Sequence, residues 1–407
     1  MKAQDIRPLG ISQRHLHGPG PSDVYTSVLE VMKQPLVGHL DPEFSRVMEE
    51  VGVLLQFVFE TENKLTIPIS GTGSAGMEAA IFNLIEPGDS VLVCTNGYFG
   101  SRMAEVVRRC GGVLQEIKSP WGRIVDVSQV EEAMKNNPAK VVCIVHAETS
   151  TGVLQPLAEI SQVVHEHGSL LLVDAVTSLG GMSVGVDEQM IDVCYSGTQK
   201  CLSCPPGLAP ITFSPRAREV VQGRKVPVQS WYLDTNLLMQ YWGQARVYHH
   251  TAPISMIFAL HESLRTIAQE GLAACFLRHR QNHVALVAGL EAMGLELLVA
   301  PQYRAPSLTT VVVPDGVDEA RVRGNLLQEH HIEIGGGMGD LKGRVWRIGL
   351  MGHSSRRHSL KRLLNGLEKA LIQENLPVTE GHALEAMDEI YQARNDQELK
   401  THEQFGE

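Results

Sequence analysis

The chain has 407 residues, enough for a large core domain and a smaller companion, and its 43% hydrophobic and 20% charged content excludes disorder over most of its length. A formal net charge of -11 argues against nucleic acid as a main partner, because neutralising phosphates demands a basic surface. No apolar run approaches the roughly 20 residues of a membrane helix, and the first 14 residues lack the apolar stretch of a secretory signal.

Residues 1–22 read as an N-terminal arm, closed by the rigid turn Gly18-Pro19-Gly20-Pro21-Ser22 ahead of a helical pattern over 23–32. Residues 23–270 read as a large domain. From about 45 to 215, short apolar runs at 65–69, 90–94, 141–145, 170–173 and 192–195 alternate with helical patterns such as 76–84, 102–110 and 157–167. That alternation predicts an α/β fold with a mostly parallel sheet flanked by helices on both faces. Ligands of such sheets bind beyond the C-terminal ends of the strands. A long, interrupted helical pattern over 256–287 leads into a smaller α+β domain, 271–377, with strands at 309–313 and 345–348 and helical patterns at 318–330 and 360–373. Residues 378–407 form a polar tail in which 383–393 has the pattern of a short amphipathic helix.

Three places along the large domain carry chemistry. The first is Ser70-Gly71-Thr72-Gly73-Ser74-Ala75-Gly76, between a strand and a helix, which fits the G-x-G-x-x-G dinucleotide fingerprint. That fingerprint also needs an acidic residue at the end of the next strand to hold a ribose, and here the strand runs into Cys94-Thr95-Asn96-Gly97. Amides at a helix N-terminus, with the hydroxyls of Thr72 and Ser74, suit a single phosphate; a tight turn with no ligand is the plain alternative. The second place is Asp174, at the end of the apolar strand Leu170-Leu171-Leu172-Val173. A buried carboxylate needs a cationic or donating partner, such as a protonated pyridine nitrogen, whereas an ordinary helix-capping aspartate needs neither. The third is Lys200 in Gly197-Thr198-Gln199-Lys200. Buried among small uncharged residues, its amine would be shifted towards the neutral form that builds imines; on an exposed loop it would be inert.

In that order, phosphate turn, strand-end aspartate and lysine, the chain resembles the class V aminotransferases of fold type I, and within them the alanine/serine–glyoxylate aminotransferases. The similarity runs from Gly18-Pro19-Gly20-Pro21 to Arg347-Ile348-Gly349-Leu350 and includes His146-Ala147-Glu148-Thr149-Ser150-Thr151-Gly152 and Tyr248-His249-His250-Thr251. The resemblance implies pyridoxal 5'-phosphate carried on Lys200, its phosphate bound by Thr72, Gly73, Ser74 and Gln199, and its ring stacked on Phe99, where many members have Trp. It further implies Thr149 at the phenolic oxygen, Asp174 at the ring nitrogen beside Val176, and Tyr248 and Thr251 reaching the phosphate of a neighbouring subunit in a homodimer. Arg347, with Gly18 and His39, would bind the substrate, the arginine clamping its α-carboxylate. From its own sequence context Arg347 could equally be a surface residue.

The implied reaction is a ping-pong transfer between a small amino acid and a 2-oxo acid such as glyoxylate, with Lys200 as base and acid. The segments Gly197-Thr198-Gln199-Lys200 and Gly381-His382-Ala383-Leu384 also resemble (S)-ureidoglycine–glyoxylate aminotransferases. Those enzymes have Gln at the position read here as His39 and Asn at that of Tyr248, and both departures favour alanine or serine as donor. A dinucleotide-dependent oxidoreductase using the glycine-rich turn, or a binding protein of the same fold without chemistry, is the competing class. No metal site is expected: Cys201-Leu202-Ser203-Cys204 is a single pair, and His249-His250 and His165-Glu166-His167 miss the H-E-x-x-H pattern. Seven irregularly spaced cysteines point to a reducing, cytoplasmic setting, and the C-terminus carries no peroxisomal address.

Overall fold

Strands buried on both faces need apolar residues at every position, and the run Val141-Val142-Cys143-Ile144-Val145 is such a strand. In the computed structural model, which describes residues 2–405 and side chains as far as Ala393, it is one of seven in the central sheet. In chain order these are β1 (Leu65–Ser70), β2 (Ser90–Thr95), β3 (Val113–Lys118), β4 (Val141–Val145), β5 (Leu170–Asp174), β6 (Val193–Tyr195) and β7 (Leu208–Phe213). They lie side by side as β1-β7-β6-β5-β4-β2-β3. All pairs are parallel except those of β7, which runs antiparallel to both β1 and β6.

Alternate side chains of each strand feed two separate cores. Val142, Ile144, Leu171 and Val173 point into one, with α1 (Pro42–Phe59) and α4 (Ile254–Glu270). Val141, Cys143, Leu170 and Leu172 point into the other, under α2 (Gly73–Leu84) and α3 (Tyr98–Arg109). The expected layering is therefore present. Two strands lacked a clear signal in the sequence. β3 is an edge strand of mixed Gln, Glu and Lys with little full burial, and β7 carries Pro210, which ordinarily argues against an interior strand.

The long helical pattern is broken at Gly271, where φ is +83°, into α4 and α5 (Leu272–Ala292). Beyond it, β8 (Leu308–Val312) and β9 (Gly335–Gly336) flank β10 (Val345–Gly349) in an antiparallel sheet. Trp346 and Ile348 pack there on Leu286, Leu290, Leu363 and Leu367, so this smaller unit has its own core. Both chain ends join it. His15–Leu16 pairs in parallel with Ile332–Glu333, and the helix His382–Phe405 sends Ala383, Met387 and Tyr391 into the same core. Among the described residues no helix is long and apolar enough to cross a membrane.

Candidate active site

The C-terminal ends of β1, β2, β5 and β6 converge on a cavity of about 140 Å³. Thr72, Gly73, Ser74, Phe99, Thr149, Asp174, Val176, Gln199 and Lys200 all line it. Residues up to 128 positions apart in the chain are brought together because parallel strands deliver their following loops to the same edge.

Lys200 is 7% exposed. Its Nζ donates to the carbonyl of Pro19. The loop is pinned from the same side, since Ser22 donates from its hydroxyl to the Lys200 carbonyl at 2.7 Å and from its N–H to that of Gln199 at 2.9 Å. The arm passes so close that a Cβ on Gly20, whose φ is +110°, would lie 2.6 Å from the lysine side chain. Burial, and then the charge of Arg347, lower the Lys200 pKa to about 8.

Asp174 ends β5 directly beside Tyr195 in β6. The Tyr195 hydroxyl donates to its Oδ2 at 2.5 Å, and the Val176 N–H donates to Oδ1 at 2.8 Å. Despite both bonds, burial raises its pKa to about 6. The carboxylate thus sits in a place that disfavours its charge until a cation arrives.

Glu148 is almost fully buried yet accepts four hydrogen bonds. Oε2 takes the N–H groups of Phe99 and Gly100, at 3.1 and 3.3 Å, and Oε1 takes the N–H and hydroxyl of Ser150, at 3.0 and 2.6 Å. A carboxylate from the distant two-residue strand Ala147–Glu148 thereby caps α3 and fixes Phe99 at the cavity wall. Gly97 must be glycine for this, as a Cβ would fall 2.4 Å from the Glu148 side chain. The neighbouring Thr149 bonds through its hydroxyl to that of Thr177.

Arg347, in β10 of the smaller unit, reaches this edge of the large one. Its Nε donates to the Gly336 carbonyl at 2.7 Å and its Nη1 to that of Thr149 at 3.2 Å. It is 6% exposed, burial lowers its pKa to about 10, and among the described residues no carboxylate lies within ion-pair distance. Gly18 lies against the same strand, where a Cβ on Gly349 would meet its carbonyl oxygen at 2.1 Å. A buried cation with spare donors suits an anionic ligand.

The remaining three residues stand apart from this cavity. Tyr248 is 57% exposed, Thr251 is also exposed, and the ring of His39 lies 5.2 Å from that of Tyr248. They belong to an open aromatic face that includes Trp231, stacked on His249 at 4.3 Å. Tyr195, Glu148 and Arg102 also help build the site, and no role was assigned to them from the sequence. Tyr195 could not be found there, because its link to Asp174 depends on strand register.

The residues present fit pyridoxal phosphate. The Gln199 carboxamide lines the cavity with its Oε1 buried and without a partner among the described residues, and its NH2 is the end able to donate to a phosphate. Among the described residues, Asp174 and Arg347 have no oppositely charged group within ion-pair distance.

A model of the family described as Aminotransferase class-V matches residues 22–346. The alanine–glyoxylate aminotransferase of Mus musculus is 41% identical over 370 residues, covering 90% of this chain and 89% of the relative. The crystal structure of an alanine–glyoxylate aminotransferase from Nostoc sp. superposes with a TM-score of 0.89 at 50% identity, covering 90% of this chain and 97% of that one. That of a ureidoglycine–glyoxylate aminotransferase from Bacillus subtilis superposes with a TM-score of 0.93 at 40% identity, covering 95% and 100%.

Proposed function

The chain belongs to the class-V aminotransferase family, whose members generally depend on pyridoxal phosphate, and from that premise we propose that it transfers an amino group from alanine or serine to glyoxylate or a similar 2-oxo acid. The observation that carries this reading is Lys200. It is a buried amine with pKa lowered to about 8, sharing one cavity with a charge-starved Asp174 and with the Thr72-Gly73-Ser74 turn.

Pyridoxal phosphate supplies an aldehyde that takes the donor's amine and an electron-poor ring that stabilises charge at its α-carbon. Asp174 holds the ring nitrogen protonated, and Tyr195 holds Asp174. Phe99 offers its face to the ring, and Thr149 its hydroxyl to the phenolic oxygen. Thr72, Gly73, Ser74 and Gln199 bind the phosphate. Lys200 would hold the cofactor through its amine, and that amine, when free, would take the proton from the donor's α-carbon and deliver it to the carbon of the cofactor's aldehyde. Arg347 grips the α-carboxylate and so aims that carbon at Lys200.

Tyr248 and Thr251, outside the cavity of their own subunit, reach the phosphate of a second copy in a homodimer. His39, in contact with Tyr248, goes with them, so donor selection lies at that junction. The likeness to the Bacillus subtilis ureidoglycine–glyoxylate aminotransferase favours a second reading, with (S)-ureidoglycine as donor.

The purified protein with pyridoxal phosphate is expected to show a band at roughly 400–430 nm. Alanine or serine should discharge it, and glyoxylate should restore it. No band after addition of cofactor would sink the aminotransferase reading, and faster discharge by ureidoglycine would select the second donor.

A further inference from the structure

We propose that Arg102 is an additional anchor for the cofactor phosphate, an inference that rests on the pyridoxal-phosphate reading above. Arg102 lies on α3, one turn after Phe99, and lines the same cavity as the Thr72-Gly73-Ser74 turn. Its Nη1 is 3.4 Å from Ser74 Oγ, and its guanidinium carbon is 5.0 and 5.2 Å from the ring centroids of Tyr98 and Phe99. The two rings hold the planar group in place at modest entropic cost.

Charge is the deciding consideration. The other arginines of α3, Arg108 and Arg109, pair with Glu105 or Glu116. Arg102 has no carboxylate within ion-pair distance among the described residues. It faces the N-terminus of α2, which carries partial positive charge of its own, so two positive groups converge. A phosphate monoester brings about −1.5 to −2 charges at pH 7. Lys200 is the other basic residue lining the cavity, and its nitrogen is committed to the cofactor's aldehyde rather than to the phosphate. Without Arg102 the phosphate would meet amides and hydroxyls in this subunit, and no full positive charge. Ser74, accepting from Arg102, keeps its own proton to donate into the cavity.

The alternative is that Arg102 merely steadies Phe99. Pyridoxal, which lacks the phosphate but keeps ring and aldehyde, separates the two roles. Dissociation constants of pyridoxal phosphate and of pyridoxal would be measured by equilibrium dialysis on full-length apo protein, for wild type, R102Q and R102K. R102Q should weaken pyridoxal phosphate about ten-fold or more, equivalent to about 1.4 kcal/mol, and pyridoxal less than about two-fold. R102K retains the charge without the fork and should lose about three-fold, again for the phosphate ester alone. It also keeps the test open if R102Q folds poorly. Equal losses for both ligands, or no loss for either, overturn the role of Arg102. Wild-type protein that takes up neither ligand overturns the cofactor reading instead.

Discussion

Lys200 and Asp174 carry opposite electrostatic penalties, and each makes a prediction. Below about pH 8 the Lys200 amine is cationic, and above it neutral and nucleophilic, so uptake of pyridoxal phosphate by apo protein should quicken as pH rises from 7 to 9. Arg347→Met removes the positive neighbour and should shift that stopped-flow profile to higher pH. Lys200→Ala should keep the fold, as judged by circular dichroism, and abolish both the roughly 400–430 nm band and turnover. For Asp174 the sign is reversed. Its folded pKa, about 6, lies above the ordinary value, so the folded state binds more protons than the unfolded one. Its contribution is least unfavourable in acid, and the cost grows as pH rises through about 6. Asp174→Asn should therefore leave the apo protein melting at least as high as wild type at pH 7.5, while lowering turnover at least a hundred-fold. A large loss of apo stability by calorimetry would refute this account. The sequence placed Asp174 at a strand end and Lys200 just after a strand, because apolar runs lead up to both. It could not show that Tyr195 donates to Asp174, since register is set by contacts across the sheet.

Helix α3 draws its cap from outside itself. Its own N-cap is Gly97, which offers no side chain, and the buried Glu148 carboxylate supplies the acceptors. Both oxygens are fully used by donors, so Glu148→Gln would turn an NH2 group towards N–H groups that need an acceptor. The expected cost is on the order of 2–3 kcal/mol. It should appear as a lower midpoint in denaturant unfolding, together with weaker cofactor retention as Phe99 loosens. An unchanged midpoint would remove Glu148 from this role. Strands with uniform burial, such as β4 and β5, were legible in the sequence because their composition is uniform. The edge strand β3 and the proline-bearing β7 were not, because neighbouring strands rather than local preference stabilise them.

For the whole molecule, the exposed aromatic face with Trp231, Tyr232 and Tyr248 fits burial against a second copy. Sedimentation is expected to give twice the 44.6 kDa of the chain. Mixing inactive Lys200→Ala subunits with subunits disabled by Tyr248→Ala should restore about a quarter of wild-type activity, since half the dimers would hold one intact site. No recovery on mixing would place Tyr248 in its own subunit's site. The family resemblance implies a site shared between subunits, but the pairing of His39 with Tyr248, across more than 200 residues, is visible only in three dimensions. The antiparallel β7 bears on biosynthesis. β1, which leads into the Thr72 turn, has β7 as its neighbour in the sheet, so the earliest strand of the central sheet to leave the ribosome stays unpaired until residues 208–213 follow. The phosphate turn is thus among the last parts of the large domain to gain its support, and a nascent chain halted before β7 would expose an unpaired edge and hold no cofactor.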